Sequence, residues 1–299
     1  MTRRPGDLVT FLVVAFGLSW LCALPLWLSG GGPALLTVTG LAMMFTPTVA
    51  VIAVWRLHHR DVPFREWARR TGLTLGGRRG RTAGLIAVAW LGTALLTLLA
   101  TGISVATGVL SADLSGLSLF RRQIEAAGRT GALPLDPGTL VVIQFVQGIV
   151  VGPLLNVVPS LGEEYGWRGW LLPRLMPLGT ARAMLVSGVI WGLWHAPLTL
   201  RGYNYPLLGP WAALMFVGFC VLFGVFLGGL RLASGSVWPA AVGHGALNAL
   251  AGLPLLIGDV AHPPNLAVAG ITGVVGWVLL AVVAAVVLAR LARRPVVAG

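Results

Sequence analysis

The chain has 299 residues, 57% of them hydrophobic and 10% charged, and its mean hydropathy is +0.87. These values lie outside the range of soluble globular domains and make it a membrane protein. Its net charge of +12 comes without a single lysine, from 21 arginines spread along the chain rather than gathered in one patch, which sets nucleic-acid binding aside.

A hydrocarbon core ~30 Å thick takes roughly 20 helical residues to cross. Apolar runs of that length are predicted at 8–29, 33–56, 83–108, 139–172, 183–200, 207–230, 236–257 and 267–290. The expected fold class is therefore all-α: a polytopic transmembrane helical bundle of about eight helices, forming one domain over 1–299. The first run follows Arg3 and Arg4 but is too long for a secretory signal and lacks a small-x-small exit, so it reads as an uncleaved helix. Cys22 and Cys220 fall inside apolar runs and are assigned neither a disulfide nor a metal.

Two connections are long enough to hold more than a turn. The basic, Gly-rich loop 57–82 suits contact with anionic headgroups. In the loop 109–138, Leu117, Leu119, Phe120 and Ile124 can share one side of a short helix on the membrane surface. The run 139–172 is too long for one straight span, and a break is expected near Pro153 or Pro159. Gly148/Gly152, Gly162/Gly166, Gly188/Gly192 and Gly224/Gly228 repeat at four-residue spacing, which lets helix backbones approach closely in lipid.

With a cytoplasmic N-terminus, eight crossings place Arg3, Arg4, the arginines from Arg56 to Arg81, Arg168, Arg174, Arg182, Arg231, Arg290, Arg293 and Arg294 inside. Arg121, Arg122, Arg129 and Arg201 fall outside. Seventeen against four is a positive-inside bias that puts both termini in the cytoplasm. The lysine-free, Arg/Ala/Gly-rich composition fits a GC-rich bacterial genome and hence a bacterial inner membrane.

An ionisable side chain inside a bilayer costs roughly 3 kcal/mol on insertion scales, so such residues are functional candidates. Asp7, Asp61, Glu66, Asp113, Glu125, Asp136 and Asp259 fall in loops or at span ends, as do His58, His59 and His262. Glu163, Glu164, His195 and His244 do not. Glu164 and Arg168 have the i,i+4 spacing and order of a helical ion pair, and Asn156, Ser160 and Glu163 make a polar stripe along one helix face. Trp191 and His195 share a face, as do His244 and Asn248. Counted from Arg174, Arg182 and Ser236, three of these groups (Glu163, His195 and His244) lie roughly 12 to 20 Å deep. They can meet, with the site expected in the cytoplasmic half and reached from the cytoplasm or sideways from lipid.

Hydrolysis suits that set. Burial makes a carboxylate a usable base near neutral pH, which fits Glu163 or Glu164. One imidazole can help hold the water, and the other, with an amide N–H, can donate to the oxyanion of a tetrahedral peptide carbonyl. Glu163, His195 and His244 can instead hold Zn²⁺ as a catalytic set, and the spacing alone leaves both open. A proton-coupled transporter and a catalytically silent scaffold or immunity protein are the alternative functions. No H-E-x-x-H motif is present.

Glu163-Glu164-x-x-x-Arg168, an aromatic residue four before His195, and His244-x-x-x-Asn248, in that order, resemble the CAAX-protease and bacteriocin-processing family, the CPBP or Abi group. The resemblance covers about 135–255. It implies an intramembrane endopeptidase in which Glu163 and His195 activate water, His244 and Asn248 stabilise the oxyanion, and Glu164 and Arg168 shape the site or hold the substrate. Its implied partners are the bilayer and a membrane-associated protein or peptide substrate. Trp191 departs from the phenylalanine more usual there, a change expected to alter pocket shape rather than chemistry.

Overall fold

The computed structural model describes residues 4, 6–128 and 135–293. Arg3, Arg129 and Arg294, assigned sides of the membrane above, lie outside the described residues. The architecture is all-α, and the one β-bridge among the described residues joins Ala112 to Gly258.

The helices run in chain order as α1 (Asp7–Ser29), α2 (Pro33–Met43), α3 (Thr46–His58), α4 (Phe64–Arg70), α5 (Arg79–Ala106), α6 (Ser118–Ala126), α7 (Pro137–Val150) and α8 (Gly152–Glu164). There follow α9 (Leu172–Leu175), α10 (Thr180–Trp194), α11 (Ala196–Thr199), α12 (Trp211–Ser234), α13 (Trp238–Leu250), α14 (Leu253–Ile257) and α15 (Val274–Ala292). Among the described residues six segments are long and apolar enough to cross a membrane, and the bent pair Pro137–Val150 and Gly152–Leu178 makes a seventh.

The eighth expected span, 183–200, is the exception. Helix α10 stops after 15 residues at His195, and Pro197, which has no N–H to continue the ladder, opens the single turn of α11. The expected break in 139–172 is a 48° bend between α7 and α8. Pro153 sits in the first turn of α8 and cannot donate to the carbonyl of Ile149. That carbonyl instead accepts from Trp90 Nε1 at 2.7 Å.

Helix α13 packs between α8 and α5, α10 packs on α12, and α1 packs on α3. Small residues set these approaches. A Cβ added to Gly188 or Gly192 would fall 2.6 Å from Val221 Cα or 2.5 Å from Val217 Cα, and one on Gly162 would meet the Met44 carbonyl of the α2–α3 connection at 2.8 Å.

The arginine-rich end is closed by large side chains. Trp67, Trp167 and Trp170 are fully buried there, with Phe11 stacked on Trp170 at 4.6 Å. The loop 57–82 thus does more than meet headgroups: it buries Trp67, and its Gly72 and Leu73 carbonyls accept from Val237 N and Trp238 Nε1. Its exposed face carries Glu66, which Arg69 and Arg70 hold down to a pKa of about 2 by hydrogen bonding. Asp7, expected at a span end, is buried and pairs with His59 at 3.1 Å and with Arg174. In the other long loop the expected amphipathic turn is α6, with Phe120 buried.

Candidate active site

Helix α8 ends in the two carboxylates and then widens into a π-helical turn over Tyr165–Leu171. Such turns are short and frequent at functional sites. Here it carries Arg168, whose Nη1 donates to Glu164 Oε1 at 2.7 Å, while its carbonyl accepts from Arg231 Nε at 3.1 Å. Glu164 Oε1 also faces His244 Nδ1 at 3.0 Å. Oε2 of Glu164 is buried with no hydrogen-bond partner among the described residues.

Glu163 points the other way. It lines a cavity of about 360 Å³ together with His195, His244, Asn156 and Asn248. Four of the six residues singled out by sequence, Glu163, His195, His244 and Asn248, therefore share one space, while Glu164 and Arg168 stand behind it as a buried ion pair. Asn248 is exposed, and its amide lies 3.5 Å from Ser160 Oγ.

Trp191 ties the set together. Its Nε1 donates to Glu163 Oε2 at 2.7 Å and its carbonyl faces His195 Nδ1 at 2.9 Å. Its ring lies 4.1 Å from the Arg168 guanidinium and 5.4 Å, edge-on, from the His244 ring. Besides changing pocket shape, the tryptophan brings an indole N–H to Glu163 that a phenyl ring does not have. Sequence reading had no signal for it beyond the i,i+4 spacing to His195.

The hydrogen bonds also fix ring nitrogens. A carbonyl only accepts, so His195 bears its proton on Nδ1 and presents Nε2 as an acceptor. A carboxylate likewise receives His244 Nδ1–H, which leaves His244 Nε2 as the atom free for the cavity; that nitrogen donates when the ring is an imidazolium.

The zinc alternative fares less well. Among the described residues no group of three His, Cys, Asp or Glu side chains is placed to hold an ion. Glu163 has one oxygen committed to the Trp191 indole. The residues present do not assemble the set Glu163, His195 and His244 around a metal.

The cavity's walls continue toward one end of the bundle. Beyond the catalytic-type side chains the cavity is walled by Leu36, Thr37 and Gly40 of α2, by Tyr203 and Asn204 after α11, and by Leu255, Leu266 and Thr272. All belong to the end of the bundle away from the arginine-rich loops, whose own end is filled by the three indoles.

No curated protein matches the chain. Residues 144–250, which carry all six of these side chains, match the family model described as type II CAAX prenyl endopeptidase Rce1-like, the family group that the three motifs resemble.

Proposed function

We propose that the chain is an intramembrane endopeptidase, one membrane domain over 1–299 with its catalytic core at about 135–255, that hydrolyses a peptide bond of a membrane-associated substrate. The observation that supports this most is the convergence of Glu163, His195, His244 and Asn248 on one cavity.

In this reading the free oxygen of Glu163 takes a proton from water, whose other hydrogen is held by His195 Nε2. The water oxygen bonds to the carbonyl carbon, and the displaced electron pair becomes an oxyanion. His244, as an imidazolium paired with Glu164, and the Asn248 amide donate to that oxyanion. Collapse breaks the C–N bond, and the proton on Glu163 passes to the leaving nitrogen, giving an acid and an amine. Glu164 and Arg168 position His244 and Trp191 and touch neither water nor substrate.

A transporter built on two related halves would carry paired broken spans; one bent pair is found among the described residues. The direct test uses purified protein in detergent and a mixed library of apolar-rich peptides read by mass spectrometry. Cleavage should disappear in Glu163→Gln and in His195→Ala. Peptides still cut by both variants would overturn the assignment.

A further inference from the structure

The cavity that holds Glu163 is walled in part by Tyr203 and Asn204. It shares those two residues, with Leu36, Leu255 and Leu266, with a second cavity of about 280 Å³, whose walls include the exposed Leu207 and Asn265. The two spaces thus adjoin at these residues, and the path from the buried carboxylate to the surface that we infer runs through both. Asn204, at the neck, is held at φ +64°, a left-handed conformation that asparagine adopts more readily than other non-glycine residues.

Charge says which surface this is. Arg174 and Arg182 flank the start of α10, Arg231 and Arg290 stand in the last turns of α12 and α15, and the arginines from Arg56 to Arg81 fill the α3–α5 connection. Only Arg121, Arg122 and Arg201 among the described arginines lie at the cavity's end. Positive charge gathers on the cytoplasmic side of membrane proteins, so the path opens on the other side.

The walls also limit what enters. Glu163 is the one acid lining the path, neither cavity is lined by arginine, and the histidines are those of the site itself. A charged substrate side chain would lose its water there without gaining a partner. The lining of Leu198, Phe216, Phe219 and Leu247 near the site suits an apolar side chain beside the scissile bond.

We infer that the cavity is loaded from the non-cytoplasmic side, and that its substrate is an uncharged, apolar-rich peptide segment presented at the outer leaflet rather than a tail offered from the cytosol. The word substrate rests on the peptidase reading; the direction of opening does not.

Thiol labelling separates the two. In a Cys22→Ser, Cys220→Ala background, single cysteines are placed by Leu36→Cys and Leu266→Cys at the neck, Leu207→Cys at the mouth and Leu75→Cys in the α4–α5 loop. Intact spheroplasts are treated with a membrane-impermeant maleimide, then lysed and treated again. The neck and mouth positions are expected to react before lysis, at least tenfold faster than Leu75→Cys, which should react only afterwards. Neck cysteines that stay protected until lysis, or that never react in chains present in the membrane at normal levels, would overturn the proposal. Adding Glu163→Gln should leave the pattern unchanged, so a chain without peptidase activity fails the earlier test and still passes this one.

Discussion

Trp191 Nε1 donates to Glu163 Oε2 at 2.7 Å, and the carbonyl of the same residue accepts from His195 Nδ1 at 2.9 Å. One residue thus aims both groups assigned to the water. Replacing it by phenylalanine, the residue more usual in the family that the motifs resemble, keeps a ring beneath Arg168 but frees the carboxylate. Trp191→Phe should lower kcat roughly tenfold, ~1.4 kcal/mol of barrier, with little change in KM or thermal stability. An unchanged kcat would remove the indole from the positioning of Glu163.

Arg168 is buried, and it pairs with a carboxylate that is itself fully buried. Removing one partner of such a pair typically costs about 3–5 kcal/mol because the other charge is left alone, whereas replacing both can be nearly neutral. Thermal unfolding in detergent should therefore show a larger loss for Arg168→Ala than for the double variant Glu164→Gln/Arg168→Met. Equal losses would mean that the pair is not energetically coupled.

The contact between α10 and α12 depends on Gly188 and Gly192, where a Cβ would press on the backbone of the opposite helix. Gly192→Ala should cost about 1–3 kcal/mol through overpacking. Gly17→Ala, with open space around it, should stay within about 0.5 kcal/mol of the parent. Melting temperatures of the two variants in the same detergent check this.

Because Glu163, His195 and His244 do not assemble around an ion, peptide cleavage should be unaffected by prolonged treatment with a strong chelator. Activity that is lost on chelation and restored by Zn²⁺ alone would require a rearranged site.

Much of the site was legible because charge is rare in an apolar chain. Glu163, Glu164, His195 and His244 stood out by exclusion, and helical spacing put Arg168 and Asn248 beside them. Hydropathy located the spans but could not measure α10, which is capped by His195, two residues before Pro197, with no fall in apolarity. Nor could it show which end of the cavity is shut. That depends on Trp67, brought in from a loop that reads as basic and surface-bound, and on Phe11 meeting Trp167 and Trp170 across distant parts of the chain. Asp7 and His59 do stand at span ends, but their burial and the pairing of Asp7 with both His59 and Arg174 are made by tertiary packing alone.

A π-helical turn holds one residue more than an α-helical one, and each residue of an α-helix turns the axis by about 100°. The surplus at Tyr165–Leu171 therefore sets the azimuth of everything that follows, including which way Leu172, Arg174 and Leu175 look. Deleting a single residue there would leave the helix unbroken and its ladder regular, yet swing Arg174 away from Asp7 and turn apolar knobs toward lipid. The length of that one turn, more than the identity of any side chain in it, keeps the two halves of the bundle in phase.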